Sequence, residues 1–135
     1  MLLLSGCSTA EERDREAVMN QIEKQVQLPD GARPLREYAR YYAEHEGEVV
    51  AVYMIPPNDE IRPGDGCEEL LENLTTREVP CEPMKTDWAM PAGERRWFRS
   101  EQELPFINDG GCLQITVIFD RAKAVVKSAD CNGMA

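Results

Sequence analysis

The chain has 135 residues, enough for one compact domain and too few for two. Hydrophobic residues make up 42% of the chain, and this content supports a modest core in place of wholesale disorder. The 25 acidic residues outnumber the 15 basic ones, and the resulting net charge of -10 disfavours binding to the phosphates of nucleic acids. No stretch of the sequence approaches the roughly 18 apolar residues that span a bilayer.

The N-terminus carries a short motif of a kind used in protein sorting. Residues 4–7 read LSGC, and the order aliphatic, small, small, cysteine resembles the lipobox of bacterial lipoproteins. The resemblance implies that Cys7 is acylated, that residues 1–7 are a truncated signal, and that residues 8–135 form one periplasmic domain held at the cell envelope. Since Ser8 follows the cysteine in place of an aspartate, the resemblance favours the outer membrane. The alternative is an apolar N-terminus with an ordinary cysteine.

The first predicted element is a helix over residues 9–28. Thr9 and Glu12 have the spacing of a capping box, and the apolar side chains at positions 18, 22 and 26 form one narrow stripe. Pro29 then ends the helix. A helix of this kind is not stable alone, so we expect the stripe to pack on the rest of the domain.

A β-hairpin is predicted over residues 35–55. Residues 49–55, VVAVYMI, are typical of a strand, and Gly47 provides a turn residue that tolerates positive φ. Residues 36–43 favour the other strand through their tyrosines but also suit a helix, and the periodicity does not decide between the two.

The stretch from residue 56 to residue 103 is predicted to be an irregular insertion. It contains many prolines and one short helical candidate, Glu68–Leu74. It also holds Cys67 and Cys81, and a bond between them would close a loop of about fifteen residues, worth about 3 kcal/mol in the chain-entropy treatment.

A second hairpin is predicted over residues 112–131. Residues 113–119 alternate so that one face is continuously apolar, and a turn follows at residues 120–123. A symmetric turn places Phe119 opposite Ala124, Val117 opposite Val126, and Cys112 opposite Cys131. Directly opposed residues are close enough for a disulfide.

The cysteines other than Cys7 are an even set of four, which in an exported chain indicates a disulfide framework. Three pairings are open, and the predicted hairpin register favours Cys112–Cys131 with Cys67–Cys81. None of the cysteines forms a C-x-x-C motif, which argues against a thioredoxin-type site and a common zinc site.

These elements predict an α+β domain with one N-terminal helix on an antiparallel sheet of about four strands, in two hairpins joined by the disulfide-tied insertion. The outline resembles cystatin-like and related helix-on-sheet modules. That resemblance is architectural and implies no activity.

Two segments are candidates for a partner surface. The first interleaves cations with aromatic rings at Arg95, Arg96, Trp97 and Arg99, although Trp97 and Phe98 equally suit a core. The second is the acidic part of the insertion, which has the oxygen ligands that calcium prefers but not the EF-hand order, so we expect no metal and no cofactor. Its acidic residues are Asp59, Glu60, Asp65, Glu68, Glu69 and Glu72.

Catalytic signals are weak in this sequence. The single histidine, His45, lies between two glutamates in the predicted turn and is expected to be a solvated loop residue. We therefore expect a non-enzymatic envelope lipoprotein that contacts the membrane through its anchor and binds an envelope protein or glycan. The alternatives are a small carbohydrate-active or other hydrolase that uses Asp65 and Glu69, and an inhibitor of a basic enzyme such as lysozyme.

Overall fold

The computed structural model describes residues 9–57, 66–81, 89–107 and 110–133. Within them lie one helix, a five-stranded sheet and a separate two-stranded sheet. The α+β class is confirmed, although the sheet is larger than the four strands expected. The elements are α1 Ala10–Gln25, β1 Ala39–His45, β2 Glu48–Met54, β3 Gly66–Leu70, β4 Thr76–Pro80, β5 Arg95–Trp97, β6 Gly111–Asp120 and β7 Val125–Asn132.

The helix α1 begins as predicted and ends earlier than predicted. The Thr9 side chain accepts a hydrogen bond from the backbone N–H of Glu12 at 3.1 Å, which caps the first turn. Val26 already has extended backbone angles, so the helix ends at Gln25, three residues earlier than predicted. Its buried side chains are Val18, Met19 and Ile22. Within the described chain, no helix combines the length and the apolar character that a membrane span requires.

The large sheet has the strand order β5-β1-β2-β6-β7. The hairpin β1–β2 is confirmed, so residues 39–45 are a strand, whereas residues 35–37 form one 3-10 turn. Its two-residue turn places Glu46 at φ 48° and Gly47 at φ 81°, a combination that matches the twist of the flanking strands. Gly47 therefore has the positive φ that the sequence predicted.

The hairpin β6–β7 has a different register from the one predicted. Phe119 lies opposite Val126, and Val117 lies opposite Ala129, because the turn lies one residue later than predicted, at residues 121–124, and a bulge follows it. A second irregularity between Gly111 and Ile115 compensates for this shift. The disulfide Cys112–Cys131 forms as expected, with a Cα–Cα distance of 4.5 Å, although the symmetric register used to predict it is wrong.

The predicted irregular insertion contains three strands. Arg95–Trp97 pairs in parallel with β1, so the prediction of a purely antiparallel sheet is wrong at this edge. The helical candidate Glu68–Leu74 is also wrong, because residues 66–70 pair antiparallel with residues 76–80. The second predicted disulfide, Cys67–Cys81, lies in this hairpin.

Apolar side chains cover both faces of the large sheet. One face packs against α1 around a fully buried cluster that includes Ile22, Tyr42, Tyr53 and Phe119. The opposite face carries a smaller cluster, to which loop side chains add apolar cover; its buried members are Ala39, Tyr41, Val52, Met54 and Met90.

The helix reaches both edges of the large sheet. Arg15 lies over the ring of Trp97 in β5, at 5.6 Å from the ring centroid. At the other end of the helix, the Gln25 side chain donates to the carbonyl of Ala124 at 2.8 Å and accepts from the N–H of Val126 at 3.1 Å. The amide of Gln25 therefore bonds to the backbone beside and within the edge strand β7.

Candidate partner-binding site

The β3–β4 hairpin is the most exposed regular structure in the described chain. Every residue of β3 is exposed, and Val79 is the single half-buried residue of β4. The disulfide Cys67–Cys81 ties the two strands together at the end away from the turn, with a Cα–Cα distance of 5.0 Å. A two-stranded sheet is marginal by itself in water, so this bond supplies stability that apolar burial does not.

Hydrogen bonds give the turn of the hairpin a defined shape. The N–H of Leu71 donates to the carbonyl of Thr75 at 2.8 Å, and the N–H of Leu74 donates to the carbonyl of Leu71 at 3.0 Å. The side chain of Asn73 accepts from both the N–H and the hydroxyl of Thr75, at 3.2 and 2.6 Å. The positive φ of Leu74, 64°, fits this tight turn.

Two leucines at the turn end are exposed to solvent. Leu70 is 67% exposed and Leu74 is 81% exposed. Among the other large hydrophobic residues of the described chain, Phe106 is exposed to a similar extent, at 71%. Single exposed leucines are ordinary, but here two occur together at one end of a disulfide-tied hairpin. This end is the part of the described structure best suited to apolar contact with another molecule.

The two faces of the hairpin differ in charge. On one face, which we call the disulfide face, Arg77 donates to Glu69 through Nε at 2.8 Å and approaches the same oxygen through Nη2 at 2.7 Å. This face borders a cavity of about 520 Å³, and the described residues that line it are Cys67, Glu69, Arg77, Val79 and Pro80. The other face, which we call the glutamate face, places Glu68 directly opposite Glu78.

The predicted cation–aromatic segment, in contrast, belongs largely to the core. Trp97 stacks on Tyr42 at a centroid distance of 6.4 Å, on the face that packs against α1. Phe98 stacks on Tyr41 at 5.6 Å, on the opposite face of the sheet. Of the arginines, Arg96 is exposed near the Phe98 ring at 6.0 Å and Arg99 is also exposed. The segment therefore does not form one continuous surface.

Arg95 belongs to a network that the sequence analysis missed. It lies 3.2 Å from the carboxylate of Glu23, which also accepts from Arg40 at 2.6 Å and from the hydroxyl of Tyr42 at 2.5 Å. The Tyr42 hydroxyl lies 3.0 Å from that of Tyr53. Glu23 and Arg40 are largely buried, with 15% and 13% of their side chains exposed. This network joins α1 to β1, β2 and β5.

The tyrosines of this network have shifted pKa values. Burial raises the pKa of Tyr42 far above its ordinary value of 10.0, and the neighbouring Tyr53 and Glu23 raise it further. Burial also raises the pKa of Tyr53, against a smaller opposing effect of its hydrogen bond with Tyr42. Both phenols are therefore protonated at neutral pH, and the hydrogen bond from Tyr42 to Glu23 holds the helix on the sheet.

The remaining predicted site residues are dispersed. Cys7, Asp59 and Asp65 lie outside the described residues. Glu69, the other carboxylate of the hydrolase alternative, is paired with Arg77. His45 ends β1 and its ring nitrogens lie 3.6 Å from Glu46 and 3.5 Å from Glu101. In the parts of the chain that the structure covers, no group of three His, Cys, Asp or Glu side chains has the geometry of a metal site.

Comparisons with protein-family models, with curated proteins and with solved structures gave no match to this chain.

Proposed function

We propose that this protein is a non-enzymatic envelope lipoprotein that binds a protein partner through the turn end of its β3–β4 hairpin. The observation that carries the proposal is the exposure of Leu70 and Leu74 on a hairpin tied by the Cys67–Cys81 disulfide. Apolar side chains held in a defined geometry make effective contact residues, because little conformational freedom is lost when they are buried in a complex.

The two disulfides support a location outside the cytoplasm. Such bonds persist in oxidising compartments and are rare where thiols are kept reduced. The lipobox-like residues 4–7 suggest the same location, with Cys7 as the point of acylation. The helix α1 begins at Ala10, so an acylated Cys7 would keep the domain within a few residues of the membrane surface.

The chemistry of the described side chains also favours binding over catalysis. The phenols of Tyr42 and Tyr53, which carry the large pKa shifts, bond to each other, and the hydroxyl of Tyr42 also donates to Glu23. This bonding gives them a structural role between helix and sheet. The carboxylate of Glu69 is likewise bonded to Arg77.

Photo-crosslinking in the native envelope tests the binding surface. A photoreactive phenylalanine analogue at position 74 is expected to give one dominant protein adduct, because Leu74 is at the contact. The same analogue at Val125, an exposed residue of β7 outside the hairpin, is the matched control and is expected to give none. Equal adducts at both positions, or no adduct at position 74, would overturn the proposal. Mass spectrometry then identifies the partner in the position-74 adduct. That partner is purified by itself, and its affinity for the parent chain is measured.

Mass spectrometry of the intact protein from native membranes tests the anchor. The expected result is a diacyl or triacyl adduct on Cys7 that a Cys7→Ser variant lacks. An unmodified Cys7 in the membrane-derived protein would contradict the lipoprotein part of the proposal.

A further inference from the structure

The glutamate face of the hairpin carries an unusual cross-strand pair. Glu68 and Glu78 are directly opposite in the strand register, which brings their Cβ atoms to within about 4.5–5.5 Å. Like charges in this position destabilise a sheet. In the described part of the structure, neither carboxylate has a cation within ion-pair distance.

The disulfide face of the same hairpin shows the opposite arrangement one residue along each strand. There the directly opposite residues Glu69 and Arg77 form a two-donor ion pair. The hairpin thus neutralises the charge on one face and concentrates it on the other. Residues 66–81 contain four glutamates and one arginine, so the hairpin carries excess negative charge next to its exposed leucines.

The glutamate face is also apolar at its turn end. Since side chains alternate along a strand, Leu70 lies on the same face as Glu68. A cation placed between Glu68 and Glu78 would therefore lie beside a residue that contacts the partner through its apolar side chain. Such a cation would relieve the repulsion of the pair, and this relief would favour the complex.

We propose that the partner presents a lysine or arginine between Glu68 and Glu78, next to an apolar pocket that receives Leu70 and Leu74. This inference rests on the proposed function, because it describes the protein that the hairpin binds. It specifies a basic protein surface as the occupant of the glutamate face.

Affinity measurements with the purified protein captured at position 74 test this inference. The variant E68Q/E78Q is expected to bind about tenfold more weakly and to show a flatter salt dependence, because two rim charges are removed. The control E94Q/E103Q removes the same number of charges from exposed residues outside the hairpin and is expected to bind like the parent chain.

The E68Q/E78Q variant also separates binding from folding. Because it removes a repulsion, it is expected to raise the hydrogen-exchange protection of the hairpin amides while it lowers the affinity. Unchanged affinity in E68Q/E78Q, together with weak binding by L70S/L74S, would overturn the basic-surface inference and leave the proposed function standing. Unchanged affinity in L70S/L74S would overturn the proposed function itself.

Discussion

The five-stranded sheet with its helix and the β3–β4 hairpin are stabilised in different ways. The sheet buries large side chains on both faces, and Ile22, Tyr42, Tyr53 and Phe119 are essentially inaccessible to water. The hairpin buries almost nothing and depends on its strand pairing, one ion pair and one disulfide. The comparison shows that a covalent bond can maintain a small structure whose apolar residues remain available for other molecules.

The sharpest way to test this contrast is to remove one apolar side chain from each region. Ile22→Ala is expected to lower the free energy of unfolding by about 2–5 kcal/mol, because it leaves a cavity between the helix and the sheet. Leu74→Ala is the matched control and is expected to change it by less than about 0.5 kcal/mol. Urea denaturation followed by circular dichroism measures both values. Similar losses in the two variants would show that the hairpin leucines are part of the core.

Removing each disulfide in turn tests the same contrast between the sheet and the hairpin. C112A/C131A is expected to lower the global free energy of unfolding by about 3 kcal/mol, because this bond ties two strands of the main sheet. C67A/C81A is expected to leave the global transition nearly unchanged and to abolish hydrogen-exchange protection in the hairpin alone. If C67A/C81A lowered the global stability as much as C112A/C131A, the hairpin would belong to the same cooperative unit as the sheet.

Alkaline pH should affect the sheet region through its buried phenols. The folded-state pKa values of Tyr42 and Tyr53 are raised above 10.0, so their contribution to stability is fully present below that pH and is lost as the pH rises beyond it. The expected loss is about 1 kcal/mol per tyrosine between pH 10 and pH 11. Urea denaturation across this range measures it, with Y42F/Y53F as the control that loses this part of the dependence. Absorbance of ionised Tyr42 or Tyr53 near pH 10 in the folded protein would contradict the prediction.

Several parts of the fold could be predicted because their signals are local. The capping residue Thr9, the apolar stripe at positions 18 and 22, and the turn at Gly47 act within a few residues of themselves. Residues 49–54 and 113–119 favour strands by composition and alternation alone. These signals therefore predicted the helix and the two hairpins of the main sheet, whereas the register of the second hairpin, from which the Cys112–Cys131 pairing was inferred, was wrong.

The elements that were missed depend on residues distant in the sequence. The strand Arg95–Trp97 is too short to show a periodicity, and its parallel partner β1 lies more than fifty positions earlier. The glutamates of residues 68–74 favour a helix locally, but cross-strand pairing and the bond at Cys67 determine the outcome. The β-branched residues Thr76 and Val79, which follow the turn residue Asn73, were the available signal for this hairpin.

The candidate site was only partly predictable for a related reason. The sequence indicated that the insertion was acidic and tied by a disulfide, but a pattern of leucines does not reveal whether they are buried. Exposure of Leu70 and Leu74 depends on what the rest of the chain covers. Similarly, the Glu23 carboxylate joins Arg40 and Arg95 across three elements, and no spacing in the sequence encodes that contact.

The bonds that Gln25 makes to Ala124 and Val126 have a consequence for self-association. An edge strand ordinarily offers its free backbone groups as a template on which another chain can polymerise. Here a side-chain amide already occupies the donor and the acceptor at the start of β7, in the manner of a peptide group from a neighbouring strand. The bulge next to Val126 interrupts the regular spacing of the same edge. The carbonyl of Ala124 and the N–H of Val126 are therefore already bonded at this end of β7. At high protein concentration, this bonding opposes the growth of a continuous intermolecular sheet from this part of the edge.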